Sequence, residues 1–107
     1  MINRLSQSRD IQRVLQRGFN FQSECFKARI LRSRPNLPIR FAIVVSKKVS
    51  AKATTRNYLR RKTREAFKPQ VANLQGYDIV LFPRETAAKA DFRTLEEEAK
   101  KCLDALR

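Results

Sequence analysis

The sequence predicts an α+β fold: one small domain in which three helices pack on a mixed sheet of three to four strands, in the order α-β-β-(β)-α-β-α. Three observations point there. The chain has 107 residues, one domain's worth. Apolar residues make up 42% of it, with only two Gly and four Pro, enough for one core and unlike a disordered segment. Hydrophobic residues recur at helical spacing in three stretches and in short strand-like runs between them.

Each element follows from its residues. Ser8 to Arg17 reads as a helix, with Ile11, Val14 and Leu15 on one face and Gly18 as terminator. From Cys25 to Leu31, apolar Phe26, Ala28 and Ile30 alternate with Lys27 and Arg29, the pattern of a half-buried strand. A loop with Pro35 and Pro38 leads to Phe41–Ser46, a short β-branched run suited to a central strand. A polar connector then enters a helix from about Thr55 to Lys68, closed by Pro69. Gly76 precedes a last strand, Tyr77 to Phe82. Thr94 and Glu97 form a capping-box pattern for a final helix with Leu95, Ala99, Cys102, Leu103 and Leu106 on one side.

Charge is the dominant feature. The chain carries 24 Lys and Arg against 10 Asp and Glu, a net +14, so a polyanion is the expected partner. Residues 1–68 hold 18 bases and three acids, while residues 69–107 hold six bases and seven acids. Histidine is absent, which removes the commonest general acid/base and disfavours a conventional hydrolase. Residues 1–107 therefore read as a single nucleic-acid-binding domain, which the family resemblance given below makes an RNA-binding one. No apolar run approaches the ~20 residues of a membrane span, and no signal segment follows the start, so the expected location is cytoplasmic. Cys25 and Cys102 have no metal-binding spacing and are expected as buried free thiols.

The basic helix separates two faces. Thr55, Leu59, Thr63, Ala66 and Phe67 fall on one side; Asn57, Arg60, Arg61, Arg64 and Lys68 fall on the other. Arg56 stands at the entrance and Lys62 on the flank. A merely solvated face would mix signs and form i,i+4 ion pairs, whereas Glu65 is the only acid here. Guanidinium groups suit phosphates through two parallel hydrogen bonds, and Asn57 can both donate and accept.

Arg56-Asn57-Tyr58-Leu59-Arg60-Arg61-Lys62-Thr63-Arg64-Glu65 resembles the signature of the bacterial ribonuclease P protein subunit. Val44-Val45-Ser46-Lys47-Lys48-Val49 resembles the strand end and connector that precede it, and Asp10–Gly18 and Gly76–Val80 resemble the family's first helix and last strand. Tyr58 departs from the usual Arg. The resemblance implies a left-handed βαβ crossover and a protein that binds a catalytic RNA and the 5′ leader of precursor tRNA, promoting removal of the leader. It implies no protein-borne catalytic residue and no bound cofactor or metal, with Mg2+ used by the RNA subunit and no protein partner required. RNA contacts are then expected at Lys47, Lys48, Arg56, Asn57, Arg60, Arg61, Arg64 and Lys68. A leader cleft is expected between the sheet and the first helix, with Ile11, Leu15, Phe26, Lys27, Arg29 and Ile43 as its candidates.

Other readings have less support. A ribosomal protein would share size and charge but not the ten-residue signature. A protein-only metal nuclease would need converging carboxylates, and Glu96, Glu97 and Glu98 read as first-turn helix residues instead. A membrane-surface helix lacks apolar width, with only Leu59, Ala66 and Phe67 beside threonines.

Overall fold

A computed structural model describes residues 3–71 and 74–106. The elements are β1 (Asn3–Arg4), α1 (Ser8–Arg17), β2 (Phe19–Gln22), β3 (Phe26–Arg32), β4 (Arg40–Ile43), α2 (Ala53–Phe67), β5 (Tyr77–Pro83), α3 (Glu85–Lys89) and α4 (Phe92–Asp104). The strands form one mixed sheet in the order β1-β4-β5-β3-β2. β4 pairs parallel to both β1 and β5, while β3 pairs antiparallel to β5 and β2. The α+β class is as read from sequence. The additions are the edge strands β1 and β2 and the short helix α3.

Alternation along the strands assigns the two sheet faces. Phe26, Ala28 and Ile30 of β3, Phe41 of β4, and Ile79 and Leu81 of β5 join Leu59, Ala66 and Phe67 of α2 and Leu95, Ala99, Cys102 and Leu103 of α4 in the main core. Phe67 packs edge-on against Phe26, with ring centroids 5.2 Å apart, and lies 5.6 Å from Phe41. On the opposite face, Ala42 and Val80 meet Val14 of α1 and Leu5, with Ile11, Leu31 and Phe82 at the margin. The sheet therefore lies between α1 on one side and α2 with α4 on the other.

Polar ties fix this arrangement. Arg40 donates to both carboxylate oxygens of buried Asp78 at 2.9 and 2.7 Å and also reaches Asp10 of α1 at 3.4 Å. Glu98 of α4 accepts from the buried Cys25 N–H at 3.1 Å. Two details differ from the sequence reading. α4 is capped by Asp91, whose carboxylate accepts from Thr94 N, so the helix starts earlier and Glu96, Glu97 and Glu98 lie beyond its first turn. The strand read as Phe41–Ser46 is β4, Arg40–Ile43, and ends three residues earlier. Gly18 ends α1, as its sequence suggests, in extended conformation. A Cβ there would lie 2.6 Å from Val14 O and 2.9 Å from Ile30 O, so the position demands the absence of a side chain.

Candidate nucleic-acid interfaces

The middle helix builds the first surface. α2 buries Leu59, Thr63, Ala66 and Phe67 and turns its remaining face outward. Pro69 lies in the 3-10 turn Lys68–Val71 that follows it. Asn57, Arg60, Arg61 and Arg64 line an open groove of about 390 Å³. Arg4 of β1 also lines it, a cation that sequence reasoning missed because a two-residue strand shows no periodicity.

Within the groove Arg60 donates to the Asn57 side-chain oxygen, which fixes both side chains and leaves the amide nitrogen to donate outward. Among the described residues, ion pairs join Arg13 and Arg40 to Asp10, Arg40 to Asp78, Arg93 to Glu97, and Lys101 to Glu98; none includes a base of α2. Burial and then the nearby Arg4 cation lower the Arg64 pKa from its ordinary value, only partly countered by Glu65. The cluster thus carries an uncompensated positive potential that an anion would relieve.

The other candidates of this region have distinct placements. Arg56 gives one guanidinium nitrogen to Ser50 O and Ala51 O at 3.0 and 2.9 Å, fastening the connector to the helix. Lys47 and Lys48 are exposed in the turn before α2, outside the groove lining, and Lys68 is exposed at the helix end. Lys62 donates to Ala90 O at 2.7 Å. Tyr58 is 54% exposed, with the Lys62 ammonium 5.8 Å and the Arg61 guanidinium 6.0 Å from its ring centroid.

The second surface lies on the α1 side of the sheet. Leu15, Asn20, Lys27, Arg29 and Phe82 line a groove of about 420 Å³. Arg29 forms its wall by donating to Asn20 Oδ1 and Leu15 O, both at 2.7 Å, which ties β3 to β2 and to the last turn of α1. Its buried Nε has no hydrogen-bond partner. Three of the six expected cleft residues, Leu15, Lys27 and Arg29, therefore come together.

The other three do not. Phe26 is fully buried against Phe67 on the far face, because strand alternation sends it opposite to Lys27, and it cannot meet a strand in this groove. Ile43 likewise points away from α1. Together with Ile11 it lines a separate recess of about 270 Å³ near Arg4, Arg60 and Arg64. Asn20 and Phe82 were not anticipated: Phe82 ends an apolar run buried on both faces, which hides alternation, and Asn20 lies in a strand too short to show it.

Among the described residues, no three His, Cys, Asp or Glu side chains gather as a metal site. Glu98, the buried member of the acidic run, is engaged by Cys25 N–H and by Lys101 at 3.4 Å.

The family model described as Ribonuclease P matches residues 2–107. The chain belongs to the ribonuclease P protein family. Similar curated relatives are the ribonuclease P protein components of Picosynechococcus sp., 31% identical over 94% of this chain and 87% of that protein, and of Rippkaea orientalis, 34% identical over 95% and 84%. The ribonuclease P protein structure from Thermotoga maritima matches with a TM-score of 0.84 at 31% identity, covering 98% of each chain. The Staphylococcus aureus ribonuclease P protein structure shares the fold, with a TM-score of 0.84 at 23% identity over all of this chain and 97% of that one. The role of the ribonuclease P protein family is 5′ processing of tRNA with an RNA subunit. The chain is thus an RNA-binding component of an endoribonuclease ribonucleoprotein. No helix among the described residues is long and apolar enough to cross a membrane.

Proposed function

We propose that the outer face of α2 grips the catalytic RNA of ribonuclease P and that the groove beside α1 holds the 5′ leader of precursor tRNA. The observation that carries the reading is the set of Arg4, Asn57, Arg60, Arg61 and Arg64 in one groove with no carboxylate partner. Phosphates would replace solvent around these guanidinium groups and release condensed counterions. Lys47, Lys48 and Lys68 extend the positive field at the two ends of the helix, and Arg56 holds the connector that aims it.

In the leader groove, Lys27 and Arg29 supply charge while Leu15 and Phe82 supply an apolar floor for unstacked bases. The protein's contribution is to hold and orient the substrate, lowering the barrier by positioning. Mg2+ held by the RNA subunit would supply the activated water and stabilise the leaving oxygen. The chain's own residues bind, and carry no bond-breaking step. The expected site of action is the cytoplasm, where precursor tRNA is available.

Binding of the RNA subunit by Arg60→Gln/Arg64→Gln protein, titrated against salt, tests this reading. Each lost phosphate contact flattens the log–log slope by about one unit, so the double variant falls by about two. Cleavage of precursor tRNA at low magnesium should weaken in parallel. An unchanged slope refutes the placement of the RNA on α2.

A further inference from the structure

We propose that the outer face of α1 is a second leader-binding surface, carrying the phosphates of nucleotides upstream of those in the groove. The proposal rests on the reading of the groove as the leader site. Arg9, Gln12, Arg13, Gln16 and Arg17 are all exposed and together line one shallow surface of about 220 Å³. Their i, i+3, i+4, i+7, i+8 spacing makes a continuous stripe. Four-residue steps separate the three arginines by about 6 Å along the axis, close to the separation of successive phosphates on an extended strand.

The stripe carries no acid. Asp10, the only acid of α1, faces Arg40 at 3.4 Å on the side toward the sheet and lies 3.7 Å from Arg13. Arg13 remains 44% exposed in that pairing, and so weak an exposed pair yields readily to a phosphate. Among the described residues, no ion pair involves Arg9 or Arg17.

Helical geometry also sets an order. At 100° per residue, Leu15 borders the groove, Gln12 and Gln16 come next around the helix, and Arg9, Arg13 and Arg17 follow. A strand leaving the groove over α1 meets two carboxamides and then three guanidinium groups. The helix is roughly 10–12 Å across with its side chains, so this path adds only a few nucleotides. Because α1 lies across the sheet from α2, RNA held on the α2 face would not occupy this surface.

The test uses the full chain assembled with ribonuclease P RNA and two labelled precursor tRNAs. One has a leader that ends within the groove; the other has a leader extended by several nucleotides. Arg9→Gln/Arg13→Gln/Arg17→Gln protein should bind the short-leader substrate as wild type does and bind the extended one more weakly. At about 0.7 per phosphate on a single strand, its salt slope for the extended substrate falls by about two units. Over a fourfold rise in salt, the variant then loses about sixteenfold less affinity than wild type. The corresponding triple Lys variant keeps the charges and should restore binding.

Equal loss with both leaders, or no loss with either, overturns the proposal. Weaker binding of the RNA subunit alone by the triple Gln variant also overturns it, since the stripe would then meet the catalytic RNA. Lys27→Gln tests the groove separately. Loss with both leaders supports the groove reading, and no loss removes it whatever the stripe variant does.

Discussion

Replacing Arg40 by Met should destabilise this fold more than any surface change of equal size. Arg40 holds Asp78 through two hydrogen bonds of 2.9 and 2.7 Å, and the Asp78 side chain is only 4% exposed. These contacts raise the Arg40 pKa, the Asp78 hydrogen bond being the main cause, so the guanidinium stays charged at every accessible pH. Removing one partner of a buried pair leaves the other charge uncompensated, at a cost of about 3–5 kcal/mol. At about 4 °C per kcal/mol for a domain of this size, the midpoint of thermal unfolding should drop by about 12–20 °C.

Far-UV circular dichroism reads that directly. An Arg40→Met/Asp78→Leu protein removes both charges and should recover most of the loss, since apolar replacement of a buried pair is often neutral. Arg40→Lys should fall between wild type and Met, because an ammonium cannot make the two-point contact. The same side chain reaches Asp10, so Arg40→Met also loosens the α1 wall of the proposed leader groove. A midpoint within a few degrees of wild type, or a double variant as unstable as the single one, refutes the reasoning.

Three further outcomes are expected. Gly18→Ala places a Cβ against two backbone oxygens at 2.6 and 2.9 Å and should cost about 1–3 kcal/mol in urea unfolding; a neutral effect would show that the α1–β3 approach can widen. Burial pushes the Glu98 carboxyl up, but hydrogen bonds from Cys25 N–H and Ser23 and the Lys101 contact outweigh it, so its pKa is lowered overall. The stabilisation from Glu98 is therefore complete above the unfolded-state value near 4.3 and is lost as pH falls through the lower folded value, so urea midpoints of Glu98→Gln should fall less steeply below about pH 4 than those of wild type. Burial pushes the Cys102 thiol up to about 12, so iodoacetamide at pH 8 should leave it unlabelled in the folded protein and alkylate it in urea; rapid native labelling would contradict its burial.

The helical face of α2 was legible because 15 residues at 3.6 per turn separate Leu59, Thr63, Ala66 and Phe67 from Asn57, Arg60, Arg61 and Arg64 without ambiguity. Alternation in β3 was equally clear, yet alternation says only which residues share a face. It does not say which face α1 covers, so candidates from both faces, Phe26 and Ile43 as well as Lys27 and Arg29, entered the expected cleft. Arg4 and Asn20 were invisible as site residues because their strands have two and four residues, too few for a period to show. The start of α4 was misplaced because two capping patterns overlap, and the carboxylate of Asp91 accepts from the very N–H that Thr94 offers.

β3 has a consequence for how this molecule can change. Its even-numbered residues Phe26, Ala28 and Ile30 fill the interior beneath α2, while Lys27 and Arg29 on the reverse side line the groove beside α1. A slip of one position along β5 would send both cations into the oily layer and bring Phe26, Ala28 and Ile30 out. The lining of the groove beside α1 can therefore change only by exchanging side chains in place, never by sliding the strand that presents them.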